Sequence, residues 1–169
     1  MEFSKRPTLF RLAQLLDEAH VAYVVIGGIA LQVHQDEPRT TLDIDLAILN
    51  RASVPRDRLL AAGFELSGNF EHSENWRSSD GTPVQFTDDP AFSAAIAAPD
   101  RVEIDGFSLP VLPIADLLRA KLRATADKAR RRSKRIQDLA DAAALLEQDP
   151  GLVSILTPAE RTLLRHMPG

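Results

Sequence analysis

Val24-Val25-Ile26-Gly27-Gly28-Ile29-Ala30-Leu31, followed after a loop by Arg39-Thr40-Thr41-Leu42-Asp43-Ile44-Asp45-Leu46, is the stretch from which the rest of this 169-residue chain can be read. The β-branched and aromatic run over residues 21–26 predicts a buried strand, which Gly27-Gly28 ends before a helix over 29–34. Glycine lets a backbone turn tightly and approach a ligand, and the amides that open a helix face anions. A plain tight turn is the alternative. Residues 42–49 alternate through Leu42, Ile44, Leu46 and Ile48, and Ala47 and Leu49 bury the far end of this second strand on both sides. Residues two apart on a strand share a face, so Asp43 and Asp45 are expected side by side with Ile44 in the core. Two such carboxylates repel each other, and a shared hard cation, Mg²⁺ or Mn²⁺, relieves the repulsion. Two strand-end acids facing solvent is the other reading.

Working outward, Leu9, Leu12, Ala13, Leu16 and Ala19 predict an amphipathic helix over residues 8–19. Asp36-Glu37-Pro38-Arg39 is a loop. Arg39 either pairs with phosphate or neutralises Asp36 and Glu37, and Thr40 and Thr41 orient the loop through hydroxyl–backbone bonds. Pro55 opens a short helix that Gly63 ends. Short strands are expected around Phe64-Glu65-Leu66, residues 74–77, 83–86 and 101–104, with turns at Ser79-Asp80-Gly81 and Asp105-Gly106. From Pro113 the pattern turns helical, over about 114–130, 134–147 and 158–166, the last opened by a capping box of Thr157 and Glu160 around Pro158. This predicts an α/β (α+β) chain: a core over residues 1–112 and a helical region over 113–169 packed on it.

Composition narrows the chemistry. There is no cysteine, which removes disulfides, thiolate metal sites and cysteine nucleophiles, and the four histidines show no metal-ligand spacing. Neither a P-loop nor a dinucleotide fingerprint occurs. No apolar run approaches the roughly 20 residues that span a bilayer, and the start lacks a secretory signal's apolar segment, so cytoplasmic residence without a membrane partner is expected. The net charge of −4 hides an asymmetry: residues 121–135 hold eight basic side chains against one acid, Asp127. That segment is a candidate surface for RNA, triphosphate or an acidic protein, or else a solvated charge cluster. Aromatic interleaving is sparse there, which argues against a dedicated single-strand binding module. On the helix that follows, spacing puts Lys134, Asp138 and Asp141 near one face and Ile136, Leu139, Ala143 and Leu146 on the packing side.

The order Gly-Gly, helix, Arg-x-Thr, Asp-x-Asp resembles the nucleotidyltransferase superfamily. It is most similar to the minimal proteins related to the AbiEii toxin of bacterial type IV toxin–antitoxin systems. Residues 27–31 match its Gly-Gly-x-Ala-Leu block, residues 39–45 its Arg-x-Thr-x-Asp-x-Asp block, and residues 121–146 its helical region. The resemblance implies a mixed sheet flanked by helices and transfer of a nucleotidyl group from a nucleoside triphosphate to a hydroxyl, RNA or tRNA among the acceptors. It also implies an antitoxin protein as partner. Asp43 and Asp45 would hold the metal, Gly27, Gly28, Arg39 and Thr41 the nucleotide, and Lys121 or Lys134 would reach phosphate.

The family adds a third acid inside a hydrophobic-acid-hydrophobic run on a neighbouring strand. The matching run here is Pro83-Val84-Gln85-Phe86. Gln85 offers a neutral oxygen and cannot act as a carboxylate base. Asp80, Asp88, Asp89 and Glu103 are the acids that a shifted register would bring in. Three functions therefore stand: an active nucleotidyltransferase, a non-catalytic descendant that binds nucleotide, RNA or a partner protein, and an interaction domain whose acidic pair binds nothing.

Overall fold

The first helix forms because Leu9, Leu12 and Leu16, all fully buried, recur on one stripe of α1 (Arg6–Glu18). Each such leucine contributes about 1.5–3 kcal/mol by leaving water. The computed structural model describes residues 5–36 and 40–165. Arg39 and the expected end of the last helix at residue 166 lie outside the described residues. After α1 come β1 (Tyr23–Ile26), α2 (Gly27–His34), β2 (Ile44–Ile48) and α3 (Arg56–Ala61). Next are β3 (Glu65–Asn69), β4 (Ser73–Arg77), β5 (Pro83–Thr87), α4 (Ser93–Ala97), β6 (Asp100–Ile104) and β7 (Phe107–Val111). The chain continues through α5 (Ile114–Ala126) and α6 (Arg132–Gln148) to α7 (Pro158–Arg165). Residue contacts divide it into two units, Met1–Val33 with Glu37–Pro113, and His34–Asp36 with Ile114–Gly169.

The first unit is built on a seven-stranded mixed sheet of order β3-β4-β5-β2-β1-β7-β6, flanked by helices. The β2–β5 and β1–β7 pairs are parallel and the other pairs antiparallel. One face carries Trp76, Val84, Phe86, Ile44 and Leu46, paired in register across β4, β5 and β2 and all at most 1% exposed. Glu74 shares that face and is 1% exposed. It accepts from Arg56 Nη2 at 2.5 Å and Nε at 3.1 Å, and from the Trp76 indole at 2.9 Å, so its buried charge is compensated. The opposite face of the same three strands carries Asn75, Gln85 and Asp45, each half-buried. Arg51 holds the far end of these strands: its Nε donates to Asp88 at 3.0 Å and its Nη atoms donate to Asn69 and to the Phe70, Glu71 and Ser73 carbonyls of the β3–β4 turn.

Two elements had no counterpart among the expectations, α4 and β7. β7 contains Pro110, which interrupts the usual strand pattern, and it meets β1 through the single pair Val25↔Val111. Another correction concerns β2, which begins at Ile44 rather than Leu42, leaving Leu42 72% exposed and Asp43 ahead of the strand. Leu49, expected in the buried end, is also exposed.

In the second unit, Leu117, Leu118 and Leu122 of α5 and Ala142 and Leu145 of α6 are buried. The capping box of α7 forms as the sequence predicts, Glu160 accepting from the Thr157 amide at 2.8 Å and Thr157 Oγ1 from the Glu160 amide at 3.2 Å. Among the described residues no helix is long and apolar enough to cross a membrane.

Candidate functional site

The strand–glycine–helix junction is tighter than its sequence pattern requires, since α2 starts at Gly27 itself. Gly27 has φ +65°, and a Cβ added there would collide with the Asp45 carboxylate. A Cβ on Gly28 would stand 2.5 Å from Thr41 Oγ1. Both glycines are therefore needed for close approach: side chains there would displace Asp45 or Thr41. The antiparallel register sets Asp45 opposite Ile26, at the opening of α2. A negative charge near a helix N-terminus gains about 0.3–1 kcal/mol from the aligned amides.

Thr41 and Asp43 are arranged by the segment before β2. Thr41 Oγ1 donates to the Asp43 carbonyl at 3.4 Å, while Lys5 Nζ donates to the Thr41 carbonyl. Lys5 is 9% exposed, a low value for a lysine. Sequence reasoning passed over it, because it lies 36 positions from its partner and in no motif. Asp43 is exposed and outside the strand, so strand alternation does not govern its direction as expected.

The parallel register of β2 and β5 pairs Asp45 with Gln85. None of the four other acids stands in this row. Asp80 is tied into the β4–β5 turn, accepting from Thr8 Oγ1 at 2.7 Å, the Thr82 amide at 2.9 Å and the Ser78 hydroxyl. Those hydrogen bonds, the Ser78 hydroxyl first, hold its carboxyl well below the usual carboxylate range. Asp88 pairs with Arg51, and Asp89 caps a short 3-10 turn by accepting from the Ala91 amide at 2.9 Å. Glu103 lies on edge strand β6, with β2, β1 and β7 between it and β5. Among the described residues no three His, Cys, Asp or Glu side chains gather into a metal-binding group. Asp45 and Gln85 stand side by side in register and Asp43 lies exposed ahead of β2; carboxylate and amide oxygens are the donor types that suit a hard divalent cation.

In the second unit the structure reverses the expected face of α6. Asp138 and Asp141 are buried, each 3% exposed, whereas Ile136 is 58% exposed. Lys121 of α5 is the reason: its Nζ lies 3.1 Å from Asp138 Oδ1 and 2.8 Å from Asp141 Oδ2, and Arg130 Nε lies 2.7 Å from Asp138 Oδ2. Lys134, expected beside Asp138, is exposed and makes no ion pair among the described residues. α5 ends at Ala126, so Lys128, Arg130 and Arg131 occupy the connection to α6 and Arg132 its first turn.

A family model described as the nucleotidyl transferase AbiEii toxin of a type IV toxin–antitoxin system matches residues 8–167. A comparison with curated proteins finds no match. Among solved structures, the chain is similar to an antigenic nucleotidyltransferase-like protein from Paracoccidioides brasiliensis. That match has 22% identity and TM-score 0.56 over 91% of this chain and 88% of the other. The antibiotic-resistance factor ANT(2'')-Ia matches at 13% identity and TM-score 0.67, over 96% and 94%. The lincosamide antibiotic adenylyltransferase LnuA matches at 12% identity and TM-score 0.59, over 83% and 95%. At these identities the likenesses show a shared fold.

Proposed function

The chain belongs to the AbiEii nucleotidyl transferase family, and from that premise we propose that it transfers a nucleotidyl group from a nucleoside triphosphate to a hydroxyl acceptor, with RNA or tRNA as the acceptor class. The observation that carries this reading is the junction at which Gly27 and Gly28 leave room for Asp45 and Thr41, with Gln85 next in register to Asp45. Asp43 and Asp45 are the residues to hold Mg²⁺ or Mn²⁺, which when bound neutralises charge developing on the phosphates. The α2 amides at Gly27 and Gly28, with Arg39 and Thr41, take the triphosphate.

The acceptor oxygen forms a bond to the α-phosphorus, the bond from that phosphorus to the bridging oxygen breaks, and pyrophosphate leaves. Gln85 orients the acceptor hydroxyl through its amide oxygen, and the hydroxyl proton passes to water because an amide does not take it. Lys128, Arg131, Arg132 and Lys134 add to the reading. They are exposed cations near the N-terminal end of α6, where the helix dipole disfavours positive charge and a phosphate backbone compensates it. Functionally, residues 1–112 form the transferase core and residues 113–169 a helical region that contributes cations. The proposal includes an antitoxin protein as partner and a cytoplasmic setting, both in keeping with the family's description.

Incorporation of labelled nucleotide into RNA, with and without divalent metal, tests the proposal. Asp45→Ala should lower the rate by about 10³-fold. Full activity in that variant would refute the assignment. A second reading is favoured by Gln85 and by the absence of a three-acid group among the described residues: a descendant that binds nucleotide without turnover. Gln85→Asp separates the two. Turnover that appears only in this variant supports the second reading, and robust wild-type turnover excludes it.

A further inference from the structure

The half-buried face of β2, β5 and β4 does not end at Asn75. β4 pairs with β3 so that Asn75 stands opposite Gly68, and opposed residues of neighbouring strands share a face. The row Asp45, Gln85, Asn75, Gly68 therefore crosses four strands. Gly68 has no side chain to continue it, and the Phe70 ring fills the place. Phe70 Cε2 lies 2.9 Å, and Asn75 Cβ 3.8 Å, from the point where a Cβ on Gly68 would stand. A phenyl ring thus ends the row that begins with Asp45.

This ring is 59% exposed. Single exposed apolar side chains are common and by themselves mean little. Phe70 differs in how its backbone is held. Its amide donates to the Ser73 carbonyl at 2.8 Å, and its carbonyl accepts from Arg51 Nη1. The same guanidinium donates to Asn69 Oδ1 at 3.1 Å and to the Glu71 and Ser73 carbonyls at 2.5 and 3.2 Å. These bonds fix the turn and leave the ring in solvent. The stacked rings among the described residues are Phe10 and Phe107, so no other ring takes the faces of Phe70. An exposed aromatic face on a fixed backbone is a surface for another π system.

The position of the ring decides which π system it meets. In the proposed transfer the triphosphate lies at the α2 amides beside β1, and the acceptor hydroxyl lies at Gln85 on β5. Displacement at phosphorus sets the attacking and leaving oxygens in line. Pyrophosphate therefore leaves on the β1 side, and the acceptor extends the other way, over β4 and β3. Two strand spacings, about 10 Å, separate Gln85 from the row position that Phe70 covers, which is the scale of one nucleoside. We propose that Phe70 stacks on the base of the acceptor RNA's terminal nucleotide, whose hydroxyl meets Gln85. This rests on the reading of the site as a nucleotidyl-transfer centre. Every base has a π face, so the ring adds hold without selecting sequence.

Two RNAs test the proposal in the full-length protein: a short single strand with a free 3′ hydroxyl, and the same strand lacking the base of its last residue. Phe70→Ala should weaken binding of the intact RNA about tenfold, the loss expected for one stacked base. Wild type and Phe70→Ala should bind the strand without the terminal base equally. Mn²⁺ with a non-hydrolysable triphosphate should also bind both proteins alike. Phe70→Trp should keep the affinity for intact RNA, and its added indole should be quenched by that RNA alone. Trp76 does not confuse the signal, being 1% exposed on the opposite face. Equal affinity of wild type and Phe70→Ala for the intact RNA would overturn the proposal. So would a loss of the same size for both RNAs, a loss confined to the triphosphate, or a wild type that binds neither RNA. Nucleotide incorporation, measured beside binding, separates this proposal from the transfer reading. Binding that depends on Phe70 and on the terminal base, without incorporation, sinks transfer and leaves the stacking standing. Incorporation and RNA affinity at wild-type levels in Phe70→Ala do the reverse.

Discussion

In the helical unit, Asp138 and Asp141 meet Lys121 and Arg130 at 2.7–3.1 Å, whereas in the sheet unit Asp45 lies against the backbone of Gly27 and Asp43 faces solvent. Asp43 and Asp45 flank the start of β2, whereas Asp138 and Asp141 lie in the middle of α6. Their neighbours separate their roles. The helical acids are buried with cations that offset the loss of hydration, so their first effect is on stability. Asp45 stands where Gly27 has cleared space, an arrangement that adds little packing and keeps a carboxylate near an opening helix. Placement beside a compensating cation marks a structural carboxylate, and placement beside cleared backbone is what the proposed chemical role of Asp45 rests on.

Three perturbations bear on that contrast, the largest first. Lys121→Met leaves two buried carboxylates without their shared cation and should cost about 3–5 kcal/mol of unfolding free energy in urea. A loss under about 1 kcal/mol would mean that the helical acids are not held by their cation. Asp43→Asn should show the complementary pattern, with stability within about 0.5 kcal/mol of wild type and nucleotide incorporation lower by about 10²-fold. Equal losses of stability and activity would erase the distinction. Between these in stability lies Gly27→Ala, which forces a left-handed φ and a collision with Asp45 and should cost about 1–3 kcal/mol. Calorimetry of the variant checks it.

The smallest effect belongs to Asp80, an acid held by hydroxyl and amide donors rather than by a cation. Its folded-state carboxyl titrates below the usual range, so its contribution is present above about pH 4 and is lost as pH falls further. Melting temperatures measured from pH 7 down to pH 3 should fall more steeply in wild type than in Asp80→Asn. Parallel slopes would show that the turn does not depend on the charge.

Much of the site-bearing fold was legible because strand alternation and glycine punctuation are local. β1, the Gly27–Gly28 break, β5 and the Ser79-Asp80-Gly81 turn follow from neighbouring residues alone. What escaped depends on partners distant in the chain. Leu42 fits the alternation of β2, yet the pairing with β1 and β5 begins only at Ile44. The periodicity of α6 places Ile136 inward if apolar residues decide the face. Lys121, on a different helix, reverses that choice by making Asp138 and Asp141 the residues to bury. Lys5 and Phe70 carried no signal, since one acts across 36 positions and the other reaches the Gln85 face only through the β3–β4 and β4–β5 registers.

The order of the sheet has a consequence for synthesis. β1, β2 and β5, with the β3–β4 hairpin beside them, lie within residues 23–87, while the β6–β7 hairpin joins across Val25↔Val111. On a chain emerging from its N-terminus, contacts between nearer residues close before those between distant ones. Gly27, Asp45 and Gln85 are therefore brought into register while the strand that covers the other edge of β1 is still being made. Until β7 arrives, that edge of β1 is an unpaired row of amides and carbonyls, the stage at which a nascent chain is most exposed to pairing with a neighbour.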